Sequence, residues 1–207
     1  MNKIKVLAVG PGSPDYLPPV IAAQAQQCDV LVGGKRNLSL FRYSGQEKIE
    51  ITGKLAPVIE AIRLRAEKGR VGVLVSGDTG IYSILPRLTA EFGAEALEVF
   101  PGISAMQYMF ARLGLTWQDA IFISLHGRDL DDLLGLVESS HKLVLFTDSK
   151  NSPAAVCNLL SAAGIEGKVV HIGENLSYPA EKISSGRPGD FCSHCGSDLN
   201  LVVIVDG

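Results

Sequence analysis

Val71-Gly72-Val73-Leu74-Val75-Ser76-Gly77-Asp78-Thr79-Gly80-Ile81-Tyr82 decides how the rest of the chain is read. A short valine-rich run suits a strand covered on both faces, as in a parallel sheet. The strand stops at Ser76-Gly77-Asp78-Thr79-Gly80, and the chain is expected to turn directly into a helix. Gly77 and Gly80 admit backbone angles that other residues resist and let a ligand come close to the main chain. Asp78 and Thr79 supply polar groups or cap the following helix. Ligands of open α/β sheets settle at the carboxyl ends of strands. This corner is therefore a candidate site, although an ordinary strand–turn–helix uses the same residue types.

The same pattern extends in both directions. Upstream, Ile4–Val9 reads as a strand that ends at Gly10-Pro11-Gly12-Ser13-Pro14-Asp15, a loop stiffened by two prolines. The loop lacks the lysine–serine/threonine ending of a nucleotide-triphosphate loop. It also fails the dinucleotide spacing, because Asp15 stands where the third glycine would fall, so ATP and NAD readings are rejected. A helix over 18–27 and a strand over 29–32 complete a βαβ unit, followed by Gly33-Gly34-Lys35-Arg36. Leu55, Val58, Ile59 and Ile62 recur at helical spacing before Val71. Leu85, Leu88 and Phe92 mark another helix, and a strand over 97–100 meets Pro101-Gly102-Ile103-Ser104-Ala105. This third corner opens a helix whose exposed amides suit a carboxylate or another acceptor, or simply form its structural start.

Leu113–Trp117 is the expected connector, placing domains at 1–114 and 118–207. The second half opens with the strand-like run 120–128, and further strands are expected at 142–146, 168–172 and 199–205. Helical stripes lie at Leu130, Leu133, Leu134 and Val137, and at Val156, Leu159, Leu160 and Ala163. The fold class expected is two α/β domains, with a mostly parallel sheet in the first and a mixed sheet in the second.

Composition narrows the function. The 207 residues are 46% hydrophobic and 20% charged, as in a globular protein. A net charge of −3 argues against general nucleic-acid binding. No apolar run approaches the roughly 20 residues that span a bilayer. The start carries no signal-peptide pattern, so a cytoplasmic location and no membrane partner are expected. Of four cysteines, Cys192 and Cys195 share the spacing Cys192-Ser193-His194-Cys195. A closed zinc site needs four ligands, and no second pair appears, so a solvated loop without metal is expected.

Three corners, Val9–Asp15, Ser76–Ser83 and Pro101–Ala105, resemble those of the tetrapyrrole methylase family. Thr79 departs from the proline often found there, but keeps a backbone donor, so the turn is expected to survive. Further matches are Ser124–Arg128, Thr147-Asp148-Ser149, Gly173–Pro179 with Glu181-Lys182-Ile183, and Leu199–Val203. They resemble the branch that methylates C5 of precorrin-6Y or cobalt-precorrin-7 in cobalamin synthesis. The resemblance covers nearly the whole chain. The length leaves no room for the C15-methylating, decarboxylating domain fused to some relatives, so that activity is expected on a separate partner.

The resemblance implies a homodimer that transfers a methyl from S-adenosylmethionine (SAM), leaving S-adenosylhomocysteine (SAH), with SAM in a cleft between its halves. Carried over by position, Pro11, Gly77, Asp78, Ile81, Ser104 and Ala105 would hold SAM from the first half. Leu125, His126, Phe146 and Thr147 would do so from the second. Gly12 and Asp15 would face the substrate trough. The tetrapyrrole carries carboxylates, so Lys35, Arg36 and Arg128 are candidates to bind its edge, against the alternative of ordinary surface charge. His126 is a candidate base, since histidine titrates near neutrality, and equally a packing neighbour. Competing readings are methylation of another precorrin or of uroporphyrinogen III, of a diphthamide precursor or ribosomal RNA, or a non-catalytic ligand-binding or assembly subunit.

Overall fold

The computed structural model describes residues 2–127, 130 and 133–207. The chain forms two compact units, Met1–Ser104 and Ala105–Gly207.

In the first unit, β1 (Ile4–Ala8), β2 (Val30–Gly33), β3 (Glu47–Glu50), β4 (Val71–Val75) and β5 (Leu97–Phe100) form one sheet. Its order is β3-β2-β4-β1-β5, and every pairing is parallel. All carboxyl ends therefore share one edge. The period-2 alternation of strands separates two faces. Ile4, Val6, Val30, Val32, Val71 and Val73 pack with Val58, Ile59 and Ile62 of α3 (Leu55–Ala66) and with Leu88 of α4 (Leu85–Phe92). Leu7, Leu31 and Leu74 pack on the other face with Ile21 and Ala25 of α1 (Pro19–Gln26) and with Leu38 of α2 (Lys35–Ser39).

The second unit begins with α5 (Ala105–Leu113). Its sheet holds β6 (Ala120–Ser124), β7 (Lys142–Phe146), β8 (Lys168–Glu174), β9 (Lys182–Gly186) and β10 (Asn200–Asp206), in the order β6-β7-β10-β8-β9. Only β6 and β7 pair in parallel, so this sheet is mixed. One face carries Leu143, Leu145, Val170, Ile172, Val202 and Ile204. They pack against α6 (Leu133–Ser139) and α7 (Pro153–Ala162). Ser152 starts α7 by accepting the Ala155 amide at 3.3 Å, and Gly164 ends it with φ +70°.

Four details differ from the sequence reading. The chain does not pass straight from Gly80 into a helix. Residues 76–84 form an irregular loop, and α4 starts at Leu85. Second, the charged strand β3 and the polar strand β9 were not anticipated. Both lie at sheet edges, where one strand side pairs and charged or polar side chains are tolerated. The short helix α2 was also unforeseen. Finally, the division falls before α5, whereas the expected connector followed it. The helix packs into the second unit: a Cβ added at Gly173 would lie 2.7 Å from Met109 Sδ, and Arg112 Nε donates to Glu181 Oε1 at 2.9 Å.

Candidate active site

The three glycine corners converge. Gly77 donates to Gly10 O at 2.7 Å and Gly10 donates to Gly77 O at 3.3 Å, a bridge beyond the ends of β1 and β4. Their φ values of +81° and +69° are left-handed, which favours glycine at both. The third corner meets the second without room for a side chain. A Cβ on Gly102 would lie 2.6 Å from Gly77 O and 2.7 Å from Ala8 Cβ. Asp78 joins them: Oδ1 accepts the Gly80 amide at 2.7 Å, and Oδ2 accepts the Gly102 amide at 3.0 Å. The carboxylate thus ties two loops instead of capping a helix, and the Asp78-Thr79-Gly80 turn is closed without proline. Asn37 braces the same edge, donating to Leu74 O at 3.4 Å and accepting from Ser76 Oγ at 2.9 Å.

Pro11, Gly12, Gly77, Asp78 and Ser104 therefore lie on corners that the structure brings together. Ile81 follows in the loop after Gly80, half-buried. Ser104 is buried, and Ala105 opens α5. Asp15 is exposed in the loop after β1 and donates its amide to Ser13 Oγ at 3.2 Å. Lys35 and Arg36 are exposed at the start of α2, just past the end of β2. They share the carboxyl edge with the corners because the sheet is parallel.

In the second unit, Leu125, His126, Phe146 and Thr147 gather at the ends of β6 and β7. Leu125 is buried, and its amide donates to Phe146 O at 2.8 Å. Asn151 Nδ2 donates to Leu125 O at 2.9 Å. His126 is exposed, and its Nδ1 lies 3.1 Å from Ser124 Oγ. Asp148 accepts from the Gly127 amide at 3.2 Å and the Asn151 amide at 2.7 Å. The Asn151 amide above all, with help from the Gly127 and Lys150 amides and the nearby His126, holds the Asp148 carboxyl below the usual carboxylate range, against the opposing effect of lost hydration. The carboxylate neighbour of His126 that sequence reasoning did not find is therefore Asp148. Thr147 is buried, and its hydroxyl donates to Asn200 Oδ1. Arg128 lies outside the described residues.

Sequence reasoning missed Asn37, Asn151 and Asn200, each of which fastens a strand end. Asparagine is common in turns and loops, and nothing local separates a bracing asparagine from a solvated one. Asp148 stood in a quoted motif, and its spacing to Asn151 was the available signal. The four cysteines are free. Among the described residues, no group of three or more His, Cys, Asp or Glu could hold a metal ion. No described helix is long and apolar enough to cross a membrane.

The SAM assignment can be tested against these residues. A Cβ added at Gly80 would meet only Asp78 Oδ1, at 3.1 Å, so the main chain of this loop is open to close approach. Within the first unit the set combines apolar Pro11 and Ile81 with the polar Asp78 and Ser104. That mixture fits a cofactor with an apolar adenosine face and a charged amino-acid end.

Comparison with known proteins agrees with the fold. Residues 3–191 match the family of tetrapyrrole (corrin/porphyrin) methylases. The cobalt-precorrin-7 C(5)-methyltransferase of Salmonella typhimurium is 32% identical over 207 residues, covering 98% of both chains. A probable cobalt-precorrin-7 C(5)-methyltransferase of Methanocaldococcus jannaschii is 30% identical over 87% of each chain. Among solved structures, the Thermus thermophilus uroporphyrin-III C-methyl transferase complexed with S-adenosyl homocysteine superposes with a TM-score of 0.80, over 99% of this chain and 97% of that one, at 16% identity. The chain belongs to the tetrapyrrole methylase family.

Proposed function

We propose that this protein is a SAM-dependent methyltransferase that methylates C5 of cobalt-precorrin-7 in cobalamin biosynthesis. The observation that carries the reading is the convergence of three glycine corners on one sheet edge, in a chain matched end to end by a cobalt-precorrin-7 C(5)-methyltransferase. SAM, when bound, supplies a methyl already activated by its sulfonium.

The protein's part is alignment and exclusion of water. Pro11, Gly77, Asp78, Ile81, Ser104 and Ala105 are assigned to hold SAM. Asp78 is committed through both oxygens to backbone amides, so it acts by fixing the loop and leaves the main chain to face the cofactor. The family resemblance assigns Leu125, His126, Phe146 and Thr147 to the same cofactor. Lys35 and Arg36, exposed on the carboxyl edge, are assigned to the substrate's carboxylates with Gly12 and Asp15; Arg128 belongs to the same proposal. His126 is assigned as the base through Nε2, in the tautomer whose Nδ1–H donates to Ser124 Oγ 3.1 Å away. On this reading the enzyme works in the cytoplasm as a homodimer, and a separate decarboxylase methylates C15.

Incubation with ¹³C-methyl SAM and either cobalt-precorrin-7 or its metal-free counterpart tests the proposal. A single labelled methyl on C5, formed faster on the cobalt-containing substrate, is expected. A label on another carbon, or none with either substrate, overturns it.

A further inference from the structure

A chain of partly buried polar contacts leads from Thr147 to a side chain with no role in the mechanism above. The Thr147 hydroxyl donates to Asn200 Oδ1, and Asn200 Nδ2 donates to Ser197 O at 2.8 Å. The Ser197 amide donates to Glu174 Oε1 at 2.6 Å, and the Ser197 hydroxyl donates to Asn175 Oδ1 at 2.9 Å. Glu174 Oε2 lies 3.5 Å from His194 Nε2, a buried nitrogen with no hydrogen-bond partner. Glu174 itself is only 4% exposed.

The sheet explains the route. Asn200 pairs with Glu174 on β8, and Val202 of the same strand pairs with Leu145 on β7. The start of β10 thus lies between the ends of β7 and β8, and the turn before it carries Ser197. A carboxylate is costly to bury without hydrogen bonds. Glu174 directs one oxygen at the backbone of that turn, so the turn, and with it Asn200, is held in one position. The Glu174 and His194 side-chain ends fold over Gly196: an added Cβ there would lie 2.7 Å from His194 Nε2 and closer still to Glu174 Oε1, and would push both aside.

We infer that Glu174 is a positioning residue for the cofactor, holding the Thr147 strand end through Ser197 and Asn200. The inference rests on the assignment of Thr147 to SAM. A merely structural tie between β8 and β10 would change stability and leave cofactor affinity alone. A positioning tie changes affinity through Thr147 and through no other route.

The test uses SAH binding by calorimetry beside steady-state kinetics with SAM. Glu174→Ala should raise the SAH Kd and the KM for SAM about tenfold, with kcat within about twofold of wild type, a change equivalent to about 1.4 kcal/mol. Glu174→Gln keeps an acceptor for the Ser197 amide and should restore the affinity. In a Thr147→Val background, Glu174→Ala should add almost nothing, since residues acting in one network are non-additive. Should Glu174→Ala fail to fold, Asn200→Ala cuts the same route away from the buried carboxylate and should weaken SAH equally. Wild-type SAH affinity in folded Glu174→Ala, or in Asn200→Ala, overturns the inference, as does a full additive loss in the Thr147→Val background. Wild-type protein that binds no SAH would instead overturn the methyltransferase reading itself.

Discussion

The glycine corners of the first unit and the strand ends of the second are fastened by different means. In the first, backbone meets backbone at the closest contacts: Gly10 and Gly77 exchange hydrogen bonds, and Gly102 fits against Gly77 because it has no side chain, with the Asp78 carboxylate added as a tie. In the second, side chains reach across: Asn151 holds Leu125, Asp148 holds Gly127, and Asn200 takes the Thr147 hydroxyl. A parallel sheet brings all its carboxyl ends to one edge, so neighbouring loops can touch directly. In the mixed sheet only the ends of β6 and β7 share an edge in this way; the start of β10 lies beside them, and the Asn200 side chain reaches across to Thr147. Backbone packing tolerates no added atom, whereas a side-chain brace can be weakened by degrees.

The largest effect is expected where the packing is tightest. Gly102→Ala should lower stability by about 3 kcal/mol, near the upper end of what overpacking costs, because two of the three close neighbours are backbone oxygens. Denaturant titration should show the loss, with SAH binding abolished; near-wild-type stability would break the contrast. Next, Asn151→Ala strips a hydrogen bond from buried Leu125 O and should cost about 2 kcal/mol. Because this brace can loosen by degrees, SAH affinity should fall and still be measurable.

His126→Ala addresses chemistry more than structure. Its ring is exposed, so stability should hardly change and SAH binding should persist, while turnover slows more than about tenfold, or about 1.4 kcal/mol in the barrier. Unchanged turnover would remove His126 from the mechanism. The smallest effect is acid dependence. The folded pKa of Asp148 is depressed, so its contribution is present above the ordinary aspartate pKa of about 4. That contribution is lost as pH falls through the folded value. Asp148→Asn should lower the Tm slightly at neutral pH and converge with wild type in acid. Parallel curves would show that the Gly127 loop does not depend on this carboxylate.

Legibility in the sequence follows the same division. The runs Ile4–Val9 and Val71–Val75 announced buried strands because both their faces are covered. The edge strands β3 and β9 hid, since Glu47–Glu50 and Lys182–Gly186 read as solvated polar segments. The corners were legible because few residues other than glycine accept such turns. Asp78 was noticed as a polar group, a helix cap or a SAM contact, but not as a tie to Gly102, which lies far along the chain. The spacing of Asp148 to Asn151 was a local signal, whereas the ties of Asn151 to Leu125 and of Asn200 to Thr147 became meaningful only once their strands were paired.

By itself the sequence determined two α/β halves, three glycine corners and a family resemblance, because hydrophobic period and glycine placement are local properties. Only the tertiary structure decided that the corners touch, that α5 belongs with the second unit, and that Glu174 is linked to Thr147. Those are pairings between distant residues, set by strand order and register, which no local pattern specifies.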